Sequence, residues 1–341
     1  MEFTVGGRLE VRIAPTDVGK RVSVRRASAQ QAQGPRFTDT VGVLTSWEHG
    51  VLSITTKNGE SVRIAESSLV AGKVVPAAPA RRRGVPAASF EELAQVCARA
   101  WPPEESEALG DWRLRAAGGF TRRANSVLPL GDPGVPLDEA LRYVERWYGE
   151  RGLPVYIQVA TGAEGTQERL GAALDERGWR REVTTEVRVG AAAPVADLDA
   201  DVTAVRLSRD LDEAWLSRYQ RCEPPGRPGP HVLEVLRGGP SVWFASVPAD
   251  AGDEDAAGAP AAIGRCVVDG RWAGFMAVDV APGYRRRGLA TAVMTALARR
   301  ALDEGASAAW LQVESDNEAA RALYDGMGFA VHHRYHHFRP A

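Results

Sequence analysis

The sequence predicts an α/β protein, strands alternating with helices, preceded by a small all-β module. Three observations carry this. Short β-rich runs with almost no helical period fill residues 1–75. From residue 89 onward, amphipathic runs of helical period alternate with short apolar runs of strand type. Towards the end, an apolar strand passes through a Pro-Gly turn and an Arg-rich, Gly-containing turn directly into a helix.

A chain of 341 residues is long enough for two or three hydrophobic cores. With a net charge of −2 it has no overall attraction for nucleic acid or anionic lipid, so any basic binding face must be local. Cys97, Cys222 and Cys266 are too few and too scattered for a disulfide framework or a zinc site, and they fit a reducing compartment. No apolar run approaches a membrane span, and the N-terminus lacks the apolar stretch of a signal peptide. The expected location is the cytoplasm, with no membrane partner.

In residues 1–75, VGGRLEVRI, KRVSVRR, DTVGVLTSWEHG, VLSITTKNG and ESVRIAESSLV read as five strands, with Asn58-Gly59 a hairpin turn. Five short strands suggest a small barrel that resembles SH3-like modules. Residues 76–88 are rich in Pro, Ala and Arg without apolar period and read as a linker. In residues 89–195, SFEELAQVCARAW puts Phe90, Leu93, Val96 and Cys97 on one helical stripe. LDEALRYVERWYGERG does the same with Leu137, Leu141, Val144 and Trp147. The strand LPVYIQVA, the helix GTQERLGAALDERGW and the strand REVTTEVRV follow.

Residues 200–341 repeat this order. DLDEAWLSRYQRC reads as a helix and SVWFASV as a strand, and an acidic insertion, PADAGDEDAAGAPA, leads to a hairpin that turns at Asp269-Gly270. The helix LATAVMTALARRALDEG, the strand AAWLQVE, the helix NEAARALYDGMG and the strand FAVHHRYHHF complete the chain. LGAALDERGW echoes ARALYDGMGF, which suggests a duplicated α/β unit.

The chemistry is concentrated in AGFMAVDVAPGYRRRGLATAVMTALARRAL. A helix N-terminus offers unpaired N–H groups and the positive end of the helix dipole, a ready site for an anion. Gly288 and Ala290 keep the approach to that backbone open, and Arg285, Arg286 and Arg287 add positive charge for phosphate oxygens. Downstream, Val313, Asn317, Ala320, Leu323, Tyr324, Gly328 and Phe329 fall in the register V-x-x-x-N-x-x-A-x-x-L-Y-x-x-x-G-F.

Together these segments resemble motifs A and B of the Gcn5-related N-acetyltransferase (GNAT) superfamily. The resemblance implies a mixed, mostly antiparallel sheet flanked by helices, and acetyl-CoA as co-substrate, with no metal and no covalent intermediate. It implies that Val280, Arg285, Arg286, Arg287, Gly288, Leu289, Ala290 and Thr291 cradle the pantetheine and pyrophosphate. Val278, Asp279 and Val280 would lie on a splayed strand edge, Asn317 would hydrogen-bond the co-substrate, and Tyr324 would place its hydroxyl near the thioester sulfur. An alkyl ammonium must lose a proton before it attacks. Glu314 is the first candidate base, with Asp279 and then Glu223 as alternatives. His332, His333, His336 and His337 form adjacent pairs on the last strand; they point to opposite faces and read as solvated residues rather than a metal site.

The middle segment lacks R-x-x-G-x-A, and Asp175 is read where the other copy has Tyr324, so it reads as a degenerate GNAT half. This architecture, with GFTRRANSVLPLGDP, is similar to a bacterial family with members described as N-acetylglutamate synthases. Such a substrate would need cations, and Arg122 and Arg123, with Asn125 nearby, are the candidates. Three functions stay open. One acetylates the α-amine of glutamate; a second acetylates a protein lysine or another small amine, with the β module docking a protein partner. The third is a non-enzymatic acyl-CoA sensor. Nucleic acid is not the expected partner.

Overall fold

A computed structural model of the chain describes residues 10–28, 36–76, 85–219, 229–250 and 258–341. Cys222, Glu223, most of the proposed linker and the acidic stretch of the insertion lie outside these residues.

The N-terminal module contains β1 (Arg21–Ser28), β2 (Arg36–Glu48), β3 (Val51–Thr56), β4 (Ser61–Ala65) and β5 (Leu69–Val74), in sheet order β4-β3-β2-β1-β5. Val22, Val24, Leu44, Leu52, Ile54 and Ile64 alternate onto one face and bury there with Ile13. β3 and β4 join at the predicted Asn58-Gly59 turn, where Gly59 has φ +80°. Two expectations need correcting. The run ESVRIAESSLV is two strands broken by a 3-10 turn at Glu66–Ser68, which Ser68 locks by donating its hydroxyl to the Ala65 carbonyl at 2.7 Å. The predicted first strand contributes only a bridge from Val11 to Gly72 among the described residues. β4 and β5 are therefore the two edges of an open sheet, not the partners that close a barrel.

The rest of the chain is α/β as expected. The first half runs α1 (Phe90–Ala100), β6 (Glu105–Leu109), β7 (Trp112–Ala116), β8 (Leu128–Pro129), α2 (Leu137–Gly149), β9 (Ile157–Thr161), α3 (Glu168–Glu176) and β10 (Arg180–Ala191). After a short helix, α4 (Ala192–Ala196), the second half runs β11 (Arg206–Ser208), α5 (Glu213–Arg218), α6 (Pro230–Arg237), β12 (Ser241–Val247), β13 (Ala262–Asp269) and β14 (Trp272–Val280). It ends with α7 (Leu289–Asp303), β15 (Ala308–Glu314), α8 (Glu318–Gly326) and β16 (Ala330–Arg339). Sequence reading found the long amphipathic helices and missed β6, β7 and α6. β6 is an edge strand whose residues ESEAL carry charge and lack branched side chains, so it has little strand signal.

The eight-stranded sheet has the order β11-β12-β13-β14-β15-β10-β16-β9, antiparallel except where β14 meets β15. This order shows that the halves exchange their last strands. β10, from the first half, pairs with β15 of the second, Thr185 to Ala191 against Glu314 to Ala308. β16, from the second half, pairs with β9 of the first, and β10 and β16 pair with each other at the seam. The exchange explains a correction. His333, His336 and His337 are buried rather than solvated, because β16 is flanked by a strand on each side. His336 bridges the seam, with Nε2 3.0 Å from Thr161 Oγ1 on β9 and Nδ1 2.9 Å from Thr184 Oγ1 on β10.

Candidate active site

The site starts from a mismatch between two strands. β14 and β15 pair only from Trp272 to Phe275 and from Ala308 to Leu311, then separate. The cause lies on β14, where the register against β13 shifts and Ala277 takes φ +53°. A β-bulge there bends the strand away and leaves the edge facing β15 without a ladder partner. Gly264, opposite the bulge, is small for a reason. A Cβ there would come within 2.5 Å of Val293 Cγ1, so α7 can lie close on the sheet only over glycine.

The chain leaves β14 through a 3-10 turn at Pro282–Tyr284 and enters α7 at Gly288, which has φ +80° and gives the helix no side-chain cap. Arg286 also has positive φ, +64°. Two left-handed residues flanking Arg287, at an uncapped N-terminus without acidic residues in the first turn, present backbone N–H groups as an anion cradle. The three arginines are exposed and differ in role. Arg285 Nε donates back to the Val280 carbonyl at 3.3 Å, and Arg287 pairs with Asp250 at 3.2 Å while covering the Tyr284 ring. Leu289 packs on the core under α7, and Ala290 and Thr291 continue the helix's first turn.

The splay opens a cleft of about 370 Å³ lined by Val278, Asp279, Gln312, Glu314, Asn317 and Tyr324, among others. The sequence-predicted strand edge, base and tyrosine therefore meet in one place. Asn317 has a structural duty as well, because its Oδ1 accepts from Ala320 N at 3.1 Å and caps α8. Tyr324 is half-buried on α8, edge-on to Phe329 with ring centroids 6.1 Å apart. Burial pushes its hydroxyl up to about 12, against the opposing charge of Arg188. It is protonated at neutral pH.

Sequence reading missed what holds α8 in place. Arg188, on the exchanged strand β10, donates Nη1 to Asp325 Oδ1 at 2.7 Å and Nε to Glu186 Oε2 at 2.8 Å. Glu186 is also paired with Arg334 at 2.8 Å and Arg321 at 3.5 Å. Burial alone would raise the Glu186 carboxyl. The hydrogen bond from Arg188 and the charges of Arg334, Arg188 and Arg321 outweigh it and hold the group below the usual carboxylate range. A strand of the first half thus anchors the helix that carries Tyr324.

A second, smaller cavity of about 210 Å³ lies along the seam and shares Arg123, Tyr219 and Glu314 with the cleft. Arg122 and Arg123 both line it, from the loop between β7 and β8. Asn125 does not. It is buried and spent on the loop itself, accepting from Ala117 N and Gly119 N and donating to the Phe120 and Thr121 carbonyls. That clamp holds Thr121 at φ +51°, a costly conformation for a β-branched residue. Cys97 and Cys266 are buried and free, and burial raises both thiols, Cys266 to about 12, so neither is poised as a nucleophile.

The equivalence of the halves also needs correction by one residue. α3 and α8 each have nine residues and each leads into Gly followed by an aromatic residue. Leu174, not Asp175, therefore holds the position of Tyr324, and Asp175 matches Asp325.

Comparison with known proteins agrees with this geometry. Residues 87–338 match a family described as "Probable histone acetyltransferase Rv0428c C-terminal", and residues 16–73 match "Rv0428c N-terminal Sm-like domain". The second match replaces the SH3-like reading of the β module with an Sm-like one. The chain is 28% identical over 318 residues to the "Probable histone acetyltransferase Rv0428c" of Mycobacterium tuberculosis, covering 93% of each protein. It is 24% identical to the "Uncharacterized N-acetyltransferase YobR" of Bacillus subtilis, covering 73% of this chain and 97% of the relative. Among solved structures it resembles a tandem GNAT protein from the clavulanic acid biosynthesis pathway, with a TM-score of 0.52 and 13% identity over 76% of this chain and 89% of that one. With a family match over most of its length, the chain belongs to the Rv0428c family of GNAT-type N-acetyltransferases, carrying an N-terminal Sm-like domain.

Proposed function

We propose that the chain transfers an acetyl group from acetyl-CoA to a primary amine by direct attack, at the mouth of the β14–β15 splay. The observation that carries this reading is the meeting of an unpaired strand edge and a protonated tyrosine on one cleft, with the uncapped N-terminus of α7 following that strand after one short turn. The residues fit the co-substrate. The Arg286-to-Gly288 turn would take the pyrophosphate, and the free edge at Val278, Asp279 and Val280 would hydrogen-bond the pantetheine as an added strand.

Bound acetyl-CoA supplies an activated acetyl thioester. Backbone N–H groups on the β14 edge stabilise charge at the carbonyl oxygen as the amine nitrogen bonds to the carbonyl carbon. Glu314 takes the proton the amine loses, directly or through water, and Tyr324 gives its proton to the sulfur as the C–S bond breaks. Arg188 keeps α8 and its tyrosine in position.

Two acceptors stand out. The α-amine of glutamate follows from the arginines of the seam, whereas a protein lysine follows from the name of the mycobacterial relative. A calorimetric titration with acetyl-CoA, followed by thiol-release assays with free amino acids, polyamines and lysine peptides, tests the reading. It predicts saturable binding and amine-dependent release; no heat and no release with any amine would overturn it.

A further inference from the structure

The seam cavity holds an unusual set of unsatisfied groups. His337 is 3% exposed, yet neither ring nitrogen has a hydrogen-bond partner. Tyr335 is 1% exposed, and its hydroxyl is also unpartnered. Both line the cavity, as does Arg123, whose Nε is buried and unpartnered. Buried polar groups left without partners cost stability, so native proteins keep them where something else binds.

The charge of the cavity tells what that something is. Arg122 is neutralised by Glu182 at 2.7 Å and lies over the Tyr156 ring, so its duty is structural. Arg123 meets the Trp101 ring at 5.8 Å and no carboxylate among the described residues. Behind the wall, Arg115 is buried on uncharged partners, the carbonyl and hydroxyl of Ser126 and the side chain of Gln158. Burial, then the charges of Arg123, Arg122 and Arg115, hold His337 well below its ordinary value, so it is neutral and has one N–H to donate. One cation without a matched acid among the described residues, Arg123, therefore faces a cavity that Glu314 also lines, with the charge of Arg115 behind it.

We propose that this cavity is the acceptor subsite and that it takes a small amine bearing a carboxylate, read by Arg123, Tyr335 and His337. The carboxylate lies on Arg123 and the donors of Tyr335 and His337, and the amine points to Glu314 and the splay. At about 210 Å³ the cavity is below the roughly 300–1,000 Å³ of drug-sized pockets, which suits a free amino acid. A lysine of a basic peptide would bring positive charge against Arg123 and leave the orphaned donors unused. Tyr335 did not stand out in sequence and His337 read as a solvated strand residue, because β16 enters this site only through the strand exchange.

The inference rests on the acetyltransferase reading above, and its test separates the two. Thiol release by the full chain is measured with L-glutamate and L-alanine, each as free acid and as α-amide, and with a lysine-containing peptide. The free acids should be preferred over their amides in kcat/KM by about tenfold or more. Arg123→Ala should raise the KM for the free acid by a similar factor and erase the preference, with the KM for acetyl-CoA unchanged; Arg123→Lys should restore part of it. Tyr335→Phe, which removes only the orphaned hydroxyl, should weaken the free acid and not the amide. Equal rates for acid and amide, or a lysine peptide as best substrate, would overturn the acceptor class while leaving the acetyltransferase reading intact. Loss of acetyl-CoA binding itself would instead remove the reading beneath it.

Discussion

The two halves of the tandem use one plan and diverge where it meets the co-substrate. In the second half, α7 begins at an uncapped Gly288 after three arginines. In the first, α2 begins at Pro136 with Asp138 and Glu139 in its first turn, and acid there occupies the electrostatic place of a phosphate. Asn317 caps α8 beside the open cleft, whereas Gln167, at the same position of α3, turns back to accept from Ala160 N at 2.7 Å. The segment after β15 faces the cleft. Its counterpart after β9 faces the Sm-like domain, where Thr161 Oγ1 donates to the Lys57 carbonyl at 3.3 Å. On the proposed function, the second half catalyses and the first positions, through Arg188 and the Arg123 loop, and the two differ by charge and cover on a shared frame.

The comparison breaks most sharply at Tyr324. Giving the second half the first half's residue, Tyr324→Leu, or removing only the hydroxyl, Tyr324→Phe, should lower kcat by roughly 10²–10⁴-fold if the phenol is the general acid. Acetyl-CoA affinity should hardly move for Tyr324→Phe. Unchanged turnover across the pH range would take Tyr324 out of the mechanism and make the halves differ by binding alone.

Next in size is acid sensitivity, which should fall on the strand that the second half donates. β16 carries His333, His336 and His337, all buried, while β10 carries no histidine. Burial holds His333 and His337 well below their ordinary values, and holds His336, with Arg181 and Arg334, at about 3. For a base depressed in the folded state, stability is full above the unfolded value near ~6.5 and is lost as pH falls towards the folded value. Each such histidine should cost up to about 1.4 kcal/mol per pH unit in that window. Urea unfolding at pH 7 and pH 5 would show the loss, and His336→Gln should flatten it. Equal stability at the two pH values would mean these rings take up protons as readily in the fold as in the unfolded chain.

The features of this comparison were unequally legible. The turn at Gly288, the helix α7, the strand β15 and the register from Val313 to Phe329 are local patterns, and sequence revealed them directly. The exchange was not visible, because the choice of partner strand is tertiary and no local pattern in β10 or β16 encodes it. With it went the burial of the histidines, the role of Arg188 and the polar wall of the seam cavity. Asn125 shows a different failure. Its place just after two arginines suggested a ligand contact, yet an Asn that fixes a strained loop has the same local sequence. The slip between Asp175 and Leu174 came from matching helices without their boundaries.

A smaller effect is expected from making the working turn resemble the silent one. A carboxylate at the α7 N-terminus, as in Gly288→Asp, opposes a bound pyrophosphate by up to about 2 kcal/mol in a partly buried setting. Acetyl-CoA affinity should fall about ten- to thirtyfold. Space does not confound the test, since a Cβ at Gly288 meets nothing within 4 Å, although its φ of +80° adds modest strain. Asp138→Asn, on α2, is the matched control and should leave affinity alone. Calorimetry that finds full affinity in Gly288→Asp would show that the phosphates lie elsewhere.

The smallest change concerns the cover of the silent half. The Asn58-Gly59 turn seats on the seam, where Arg181 donates to the Gly59 carbonyl and His336 lies beneath. A Cβ at Gly59 would stand 2.5 Å from His336 Nε2 and 2.9 Å from Arg181 Nη1, and its φ of +80° disfavours any other residue. Gly59→Ala should therefore cost about 1–2 kcal/mol, as strain at a special φ commonly does. Because no residue of the Sm-like domain lines the β14–β15 cleft among the described residues, acetyl-CoA affinity should not change while protease cleavage near the turn accelerates. If affinity fell together with stability, the Sm-like domain would be a support for the catalytic half as well, and the division of labour between the halves would have to be redrawn.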